Sequence, residues 1–172
     1  MITIFYIGNS SNSNYFDFPK FQLSITNNHT ESINPTRICC LILTTPKNFL
    51  TRAKAIHETW GSLCDRHFFI AENSSESNSI EQINITKELP IAPITNIIPG
   101  YDHLTQKSVL AFLFAYQNYI NDIDWFVKAD DDTFLIVENL RAFLSKQNTS
   151  EPVTFGYNFK VCFPSRMSST HE

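Results

Sequence analysis

The sequence predicts an α/β protein built on an open, mostly parallel sheet flanked by helices. Three observations lead there. Short apolar runs alternate with stretches of helical period, in the order strand, helix, strand, helix, strand, helix, strand. The first run, Ile38-Cys39-Cys40-Leu41-Ile42-Leu43, is continuously apolar, as expected of a strand covered on both faces. The third run, Asp124 to Ala129, leads straight into Asp130-Asp131-Asp132. Ligands of open α/β sheets bind at such carboxyl ends of strands.

Taken in order, Met1 to Ile7 is an apolar start too short to span a bilayer, which needs roughly 20 residues. It also lacks the basic leader and small-residue cleavage site of a signal peptide. Residues 8 to 36 are rich in Asn, Ser and Thr, without sustained periodicity. Residues 1–36 are therefore expected to be a disordered stem with a truncated anchor, and order to begin at Arg37. After the first strand, Phe49, Ala53, Ile56 and Trp60 form one helical stripe, and Gly61 lies where that helix would stop. Trp60 reads as core and His57 as a surface residue. His67 to Ile70 is a second strand, and residues 72 to 102 read as a long irregular excursion. Leu104 to Tyr119 is a helix apolar nearly all round, so deep burial is expected of it. The third strand follows, with Trp125 as packing, then a helix over Val137 to Lys146 and a strand over Pro152 to Gly156.

Composition removes several classes of function. With only four glycines, neither a P-loop nor a GxGxxG fingerprint can be assembled. The net charge of −4 and the lack of a basic stripe leave no footprint for nucleic acid. Cys39, Cys40, Cys64 and Cys162 have no CxxC spacing, which argues against a zinc site. They are either reduced core cysteines of a cytosolic protein or disulfide partners in an oxidising compartment. Asn-x-Ser/Thr sequons at Asn9, Asn28, Asn73, Asn84 and Asn148 fit a lumenal or secreted chain.

The acidic triplet carries the most chemistry. Adjacent carboxylates repel, and a hard divalent cation relieves that repulsion with oxygen ligands. Such a cation can also bridge the phosphates of a nucleotide diphosphate when a sugar departs. The alternative is a solvated acidic turn capping the next helix.

The stretch Asp124 to Asp132 (DWFVKADDD) resembles the DxD segment of family 31 glycosyltransferases, most of all the core 1 β1,3-galactosyltransferase branch. The likeness runs from about Arg37 to Lys160. Asn139-Leu140-Arg141 and Leu144-Ser145-Lys146 resemble the helix after the DxD, and Phe155-Gly156 with Phe159-Lys160 the next strand. Upstream, Cys40, Thr44 and Pro46 match the first strand, while Thr59-Trp60 and Cys64 match the end of the first helix. The resemblance implies a GT-A (Rossmann-like) fold over 37–160, a Cys40–Cys64 disulfide, UDP-galactose as donor and Mn²⁺ as cofactor. The acceptor it implies is a GalNAc-bearing glycoprotein or peptide, galactose going to the 3-hydroxyl with inversion. Asp132 would bind the metal directly, and Asp130 the metal or the ribose. Asp131 would lie close to the nucleotide, and Thr44 and Thr45 beside the uridine. Lys107 matches a family lysine of the nucleotide-sugar site, its alternative being an exposed helix lysine. The implied location is the lumenal side of the Golgi membrane, with a type II anchor.

Two departures qualify the likeness. The family's Glu-Gly-Arg run and following aromatic are here Pro99-Gly100-Tyr101 and Thr105, so only Gly100 survives. The family's catalytic base, a metal-binding His and most acceptor contacts lie after the Phe-Gly strand, where this sequence has a polar tail over 161–172. His171, near a terminus, is a poor metal ligand, and no residue stands out as base. The expectation is a chain incomplete at its C-terminus and inactive as it stands. The alternative is a non-catalytic UDP- and manganese-binding remnant or a chaperone-like relative. The intact triplet argues against the chaperone, which lacks the DxD.

Overall fold

The computed structural model describes residues 3–5, 36–73, 80–150 and 153–156. Its centre is β2 (Ile38–Leu43), every residue of which is buried. β3 (Arg66–Ile70) and β4 (Trp125–Asp130) flank β2 in parallel. β1 (Thr3–Phe5) and β5 (Thr154–Gly156) complete the order β3-β2-β4-β1-β5. β1 is antiparallel to both neighbours, so β5 returns to the direction of β4. The sheet is thus mostly parallel, as expected.

Alternation along β2 sorts the core into two layers. Ile38, Cys40 and Ile42 face Phe49, Ala53, Ile56 and Trp60, together with α2 (Ile80–Glu88) and α4 (Val137–Leu144). Cys39, Leu41 and Leu43 face Ala111 and Ala115 of α3 (Leu104–Tyr119). Two alanines at the contact bring α3 close to the sheet. Each fully buried Ile or Leu of β2 contributes roughly 1.5–3 kcal/mol; a charge at Leu41 would break both neighbouring strands.

The helical stripe ending at Trp60 is buried as its spacing predicts, but it is not one regular helix. A π turn over Phe49–Ala53 leads into α1 (Lys54–Glu58), and a 3₁₀ turn over Trp60–Leu63 closes it. Gly61 serves close approach here: a Cβ would lie 2.8 Å from the Ile56 carbonyl oxygen. The Cys40–Cys64 disulfide, with Cα atoms 6.3 Å apart, ties β2 to this turn. Closing that loop stabilises the fold by about 3 kcal/mol.

Three expectations change. Thr3–Phe5, expected within a disordered stem, forms a strand between β4 and β5. Thr, Ile and Phe are β-prone, and pairing there gives both neighbours' edges hydrogen-bond partners. The expected irregular excursion contains α2, anchored by the buried Ile85 and, just past its end, by Leu89. Finally, α3 is buried on one side only: Val109, Leu113 and Tyr116 are about half exposed. Residues 8–35, the tail 161–172, the sequons Asn9 and Asn28, and Phe159, Lys160, Cys162 and His171 lie outside the described residues. Among the described residues no helix is long and apolar enough to cross a membrane.

Candidate functional site

The chain leaves β2 for β3 on one side, then passes to β4 on the other. The crevice between the carboxyl ends of β2 and β4 is therefore the switch point of the sheet. Thr44-Thr45 and Asp130-Asp131-Asp132 meet there, because the Asp131 N–H donates to the Leu43 carbonyl at 3.0 Å. An open groove of about 1280 Å³ is lined by Thr44, Thr45, Lys107, Asp130, Asp131 and Asp132. All six site residues expected from the sequence are thus brought together. Leu104, Phe112, Leu113 and Tyr116 of α3 make its apolar wall.

The three carboxylates are not equivalent. Asp131 is clamped: its Oδ2 accepts from the Thr44 hydroxyl and the Asn48 amide, both at 2.7 Å. Its Oδ1 accepts from Arg52 Nη1 at 3.0 Å. Asp130 Oδ1 accepts from Lys128 Nζ at 2.7 Å. Burial alone would raise the Asp130 pKa, but hydrogen bonding and charge from Lys128, among the positive groups beside it, hold it below the usual carboxylate value. Asp132 is exposed and has no hydrogen bond or ion pair among the described residues. Repulsion within the triplet is thus cancelled at two positions and left at the third.

A second knot holds the end of β2. Lys107 is buried, donating to Glu72 Oε2 at 2.8 Å and to the Thr44 carbonyl. This rules out the exposed helix lysine. Thr44 N–H donates to the Ile70 carbonyl at 3.0 Å, so each polar group of Thr44 has a protein partner. The Thr45 hydroxyl, also buried, has none among the described residues. Thr44, Asp131 and Lys107 therefore act as holders, whereas Asp130 and Asp132 bring carboxylates to the groove.

Sequence reasoning missed the partners Asn48, Arg52, Glu72 and Lys128. Only Lys128 carries a readable signal, sitting two residues before Asp130 on the strand. Asn48 and Arg52 are four apart on a helical turn, which looks like ordinary solvated surface until the fold brings Asp131 to it.

The donor set fits a hard divalent ion in a limited way. No group of three His, Cys, Asp or Glu side chains positioned for a metal occurs among the described residues. Asp132, exposed and without a partner among the described residues, offers a carboxylate ligand, and Asp130, already engaged by Lys128, lies beside it. An octahedral ion commonly takes its remaining ligands from water and substrate phosphate.

An open, mostly parallel sheet with an acidic loop at its switch point marks this groove as the ligand site, and the family matches assign the class, a glycosyltransferase. The chain belongs to the Fringe-like family, which matches it over residues 33–170. It is 31% identical over 141 residues to glycoprotein-N-acetylgalactosamine 3-beta-galactosyltransferase 1 of Xenopus laevis, covering 81% of this chain and 36% of that protein. Chondroitin sulfate synthase 3 of Mus musculus is 27% identical over 116 residues, 67% of this chain and 13% of the relative. The human chondroitin sulfate synthase 3 is 27% identical over 118 residues, with the same shares. The chain thus spans about a third or less of the length of these relatives.

Proposed function

We propose that this chain forms the donor-binding side of a metal-dependent β1,3-galactosyltransferase, which passes galactose from UDP-galactose to the 3-hydroxyl of GalNAc on O-glycosylated proteins. The observation that carries this reading is the free carboxylate of Asp132 beside the clamped Asp131 at the switch point. The likeness to the Xenopus galactosyltransferase supports the choice of sugar.

In this reading Asp132 and Asp130 would hold Mn²⁺, which would supply charge neutralisation at the diphosphate leaving group. Lys128 adds positive charge at the same place. Asp131 keeps the loop in register with β2, and Lys107 fixes the Thr44 carbonyl, so that Thr44 and Thr45 line the groove where the nucleoside would lie. The apolar wall of α3 excludes water from one side of the sugar. Among the described groove residues the only carboxylates are those of the triplet, so this reading assigns no base to the chain. A Golgi lumenal site, with a membrane anchor, is the location that goes with this activity.

The test is UDP binding followed by galactose transfer to a GalNAc-bearing peptide, each with manganese and with chelator. Manganese-dependent binding lost in Asp132→Ala supports the donor site; transfer in addition supports the full activity. Binding without transfer leaves a nucleotide-binding remnant. Binding indifferent to both chelator and Asp132→Ala would overturn the metal site.

A further inference from the structure

Three sequons have their asparagine among the described residues, and their surroundings differ. Asn84 lies inside α2, and the middle residue of its tripeptide, Ile85, is buried. Asn73 is exposed, but Ser74 and Ser75 lie outside the described residues. Asn148-Thr149-Ser150 is exposed at all three positions, just beyond the end of α4.

The Ser150 backbone N–H donates to Asn148 Oδ1 at 2.9 Å. This closes an Asx turn within the tripeptide. Since the amide is planar, engaging Oδ1 with the backbone turns Nδ2 away from it. Asn148 Nδ2 makes no hydrogen bond among the described residues. The hydrogen bond to Oδ1 also draws electron density from the amide and acidifies its remaining N–H.

We propose that Asn148 is an attachment site for an N-linked glycan. Nδ2 forms a bond to C1 of an oligosaccharide carried on a polyisoprenoid diphosphate. The C1–oxygen bond to the diphosphate breaks, the lipid diphosphate leaves with the electron pair, and the N–H proton passes to a base of the glycosylating enzyme. The site rests on the secretory location that accompanies the proposed function.

Position makes the modification compatible with the groove. One turn before the end of α4, Arg141 bonds to the Leu63 carbonyl and to Asp65, at the starts of β2 and β3. α4 thus runs toward the edge of the sheet opposite Asp130–Asp132, and Asn148 continues in that direction. A glycan there stands clear of the nucleotide-sugar groove.

The full chain, expressed behind a cleavable signal peptide in a eukaryotic secretory host, is treated with a glycan-releasing amidase in ¹⁸O water and mapped by peptide mass spectrometry. The expected result is ¹⁸O-labelled Asp at position 148. Asn148→Gln and Ser150→Ala should each remove one glycan's step in gel mobility, with UDP binding unchanged within twofold. Ser150→Ala keeps the backbone N–H of the turn and removes only the hydroxyl, so it separates acceptor recognition from folding. An unlabelled Asn148 in a chain whose Cys40–Cys64 disulfide has formed overturns the site alone. An unlabelled Asn148 with both cysteines reduced overturns the secretory reading, and the site with it.

Discussion

At the N-terminal edge of the sheet Arg37 pairs with Asp124 and Arg141 with Asp65; at the opposite edge Lys128 pairs with Asp130, Arg52 with Asp131, and Asp132 is left over. Both edges gather acidic residues at strand ends, yet they use them differently. Asp65 and Asp124 accept from the backbone N–H groups of Ile38 and Arg37, so each carboxylate also ties down the entry to β2. Near the groove the clamped carboxylate has a similar role, and beside it a charge is held exposed with no partner among the described residues. A fold gains nothing from that surplus, and this is the reason the proposed ligand site is assigned to this edge.

Breaking the clamp should have the largest effect on folding. Asp131 is 10% exposed at its side chain and accepts from three donors. Asp131→Ala strands the Thr44 hydroxyl and the Asn48 amide and is expected to cost about 2–3 kcal/mol. Asp131→Asn keeps one acceptor oxygen and should cost less. Urea unfolding of both variants measures the difference; equal stability of Ala and wild type would show that the clamp holds nothing.

The floor comes next. Asp65 is about a third exposed and accepts from the Ile38 N–H and from Arg141. Asp65→Ala is expected to cost about 1–2 kcal/mol, discounted for solvent screening. Its effect should shrink in high salt more than that of Asp131→Ala, because its carboxylate is the more exposed and Asp131 is also held by two neutral donors. A loss as large as that of Asp131→Ala, and as insensitive to salt, would erase the contrast between the two edges.

A pH titration sharpens the same contrast. His67, near the start of β3, has its pKa pushed down to about 4 by burial and then by the facing His57, whose Nδ1 lies 2.9 Å from His67 Nε2. The unfolded chain takes up a proton at His67 near pH 6.5, whereas the folded chain does so only near 4. Stability from this group is thus complete above pH 6.5 and falls as the pH drops toward 4. Asp65 and Asp124 act lower. Burial works against their ionisation, but hydrogen bonds from Ile38 and Arg141, and from Arg37, hold both below the usual carboxylate value. Their contribution is present above that value and is lost as the pH falls through the folded pKa. His67→Gln should flatten the urea midpoint between about pH 7 and 5; an unchanged slope would remove His67 from the account.

How far this contrast is legible in the sequence depends on the range of the interactions. β2, β3, β4, α3 and α4 follow from local runs and periods, and the triplet marks the end of β4 without help from the fold. The Cys40–Cys64 pair and the site residues came from a family likeness, and the structure forms that disulfide and gathers those residues around one groove. The clamp itself was hidden. Thr44, Asn48 and Arg52 lie 79 to 87 residues from Asp131 in sequence, and none has a local pattern to announce the contact. Short elements fared worst: Thr3–Phe5 is only three residues long, and α2 is largely polar, so neither stands out in the sequence. The apolar outer side of α3 misled in the other direction: composition alone does not say which side of a helix is covered.

The smallest expected effect on folding belongs to the surplus carboxylate. Asp132 is exposed with no partner among the described residues, so Asp132→Asn there removes only its repulsion toward Asp130 and Asp131. Stability should therefore stay within about 0.5 kcal/mol of wild type, or rise slightly. If the proposed site is right, the same substitution removes a metal ligand and weakens manganese-dependent UDP binding by about tenfold or more. The pair of measurements inverts the behaviour of Asp131, whose loss should unfold the chain before it reports on binding. A variant at 132 that destabilises the fold while leaving UDP binding intact would mean that this carboxylate belongs to the scaffold, and that both edges of the sheet spend all their charges on structure.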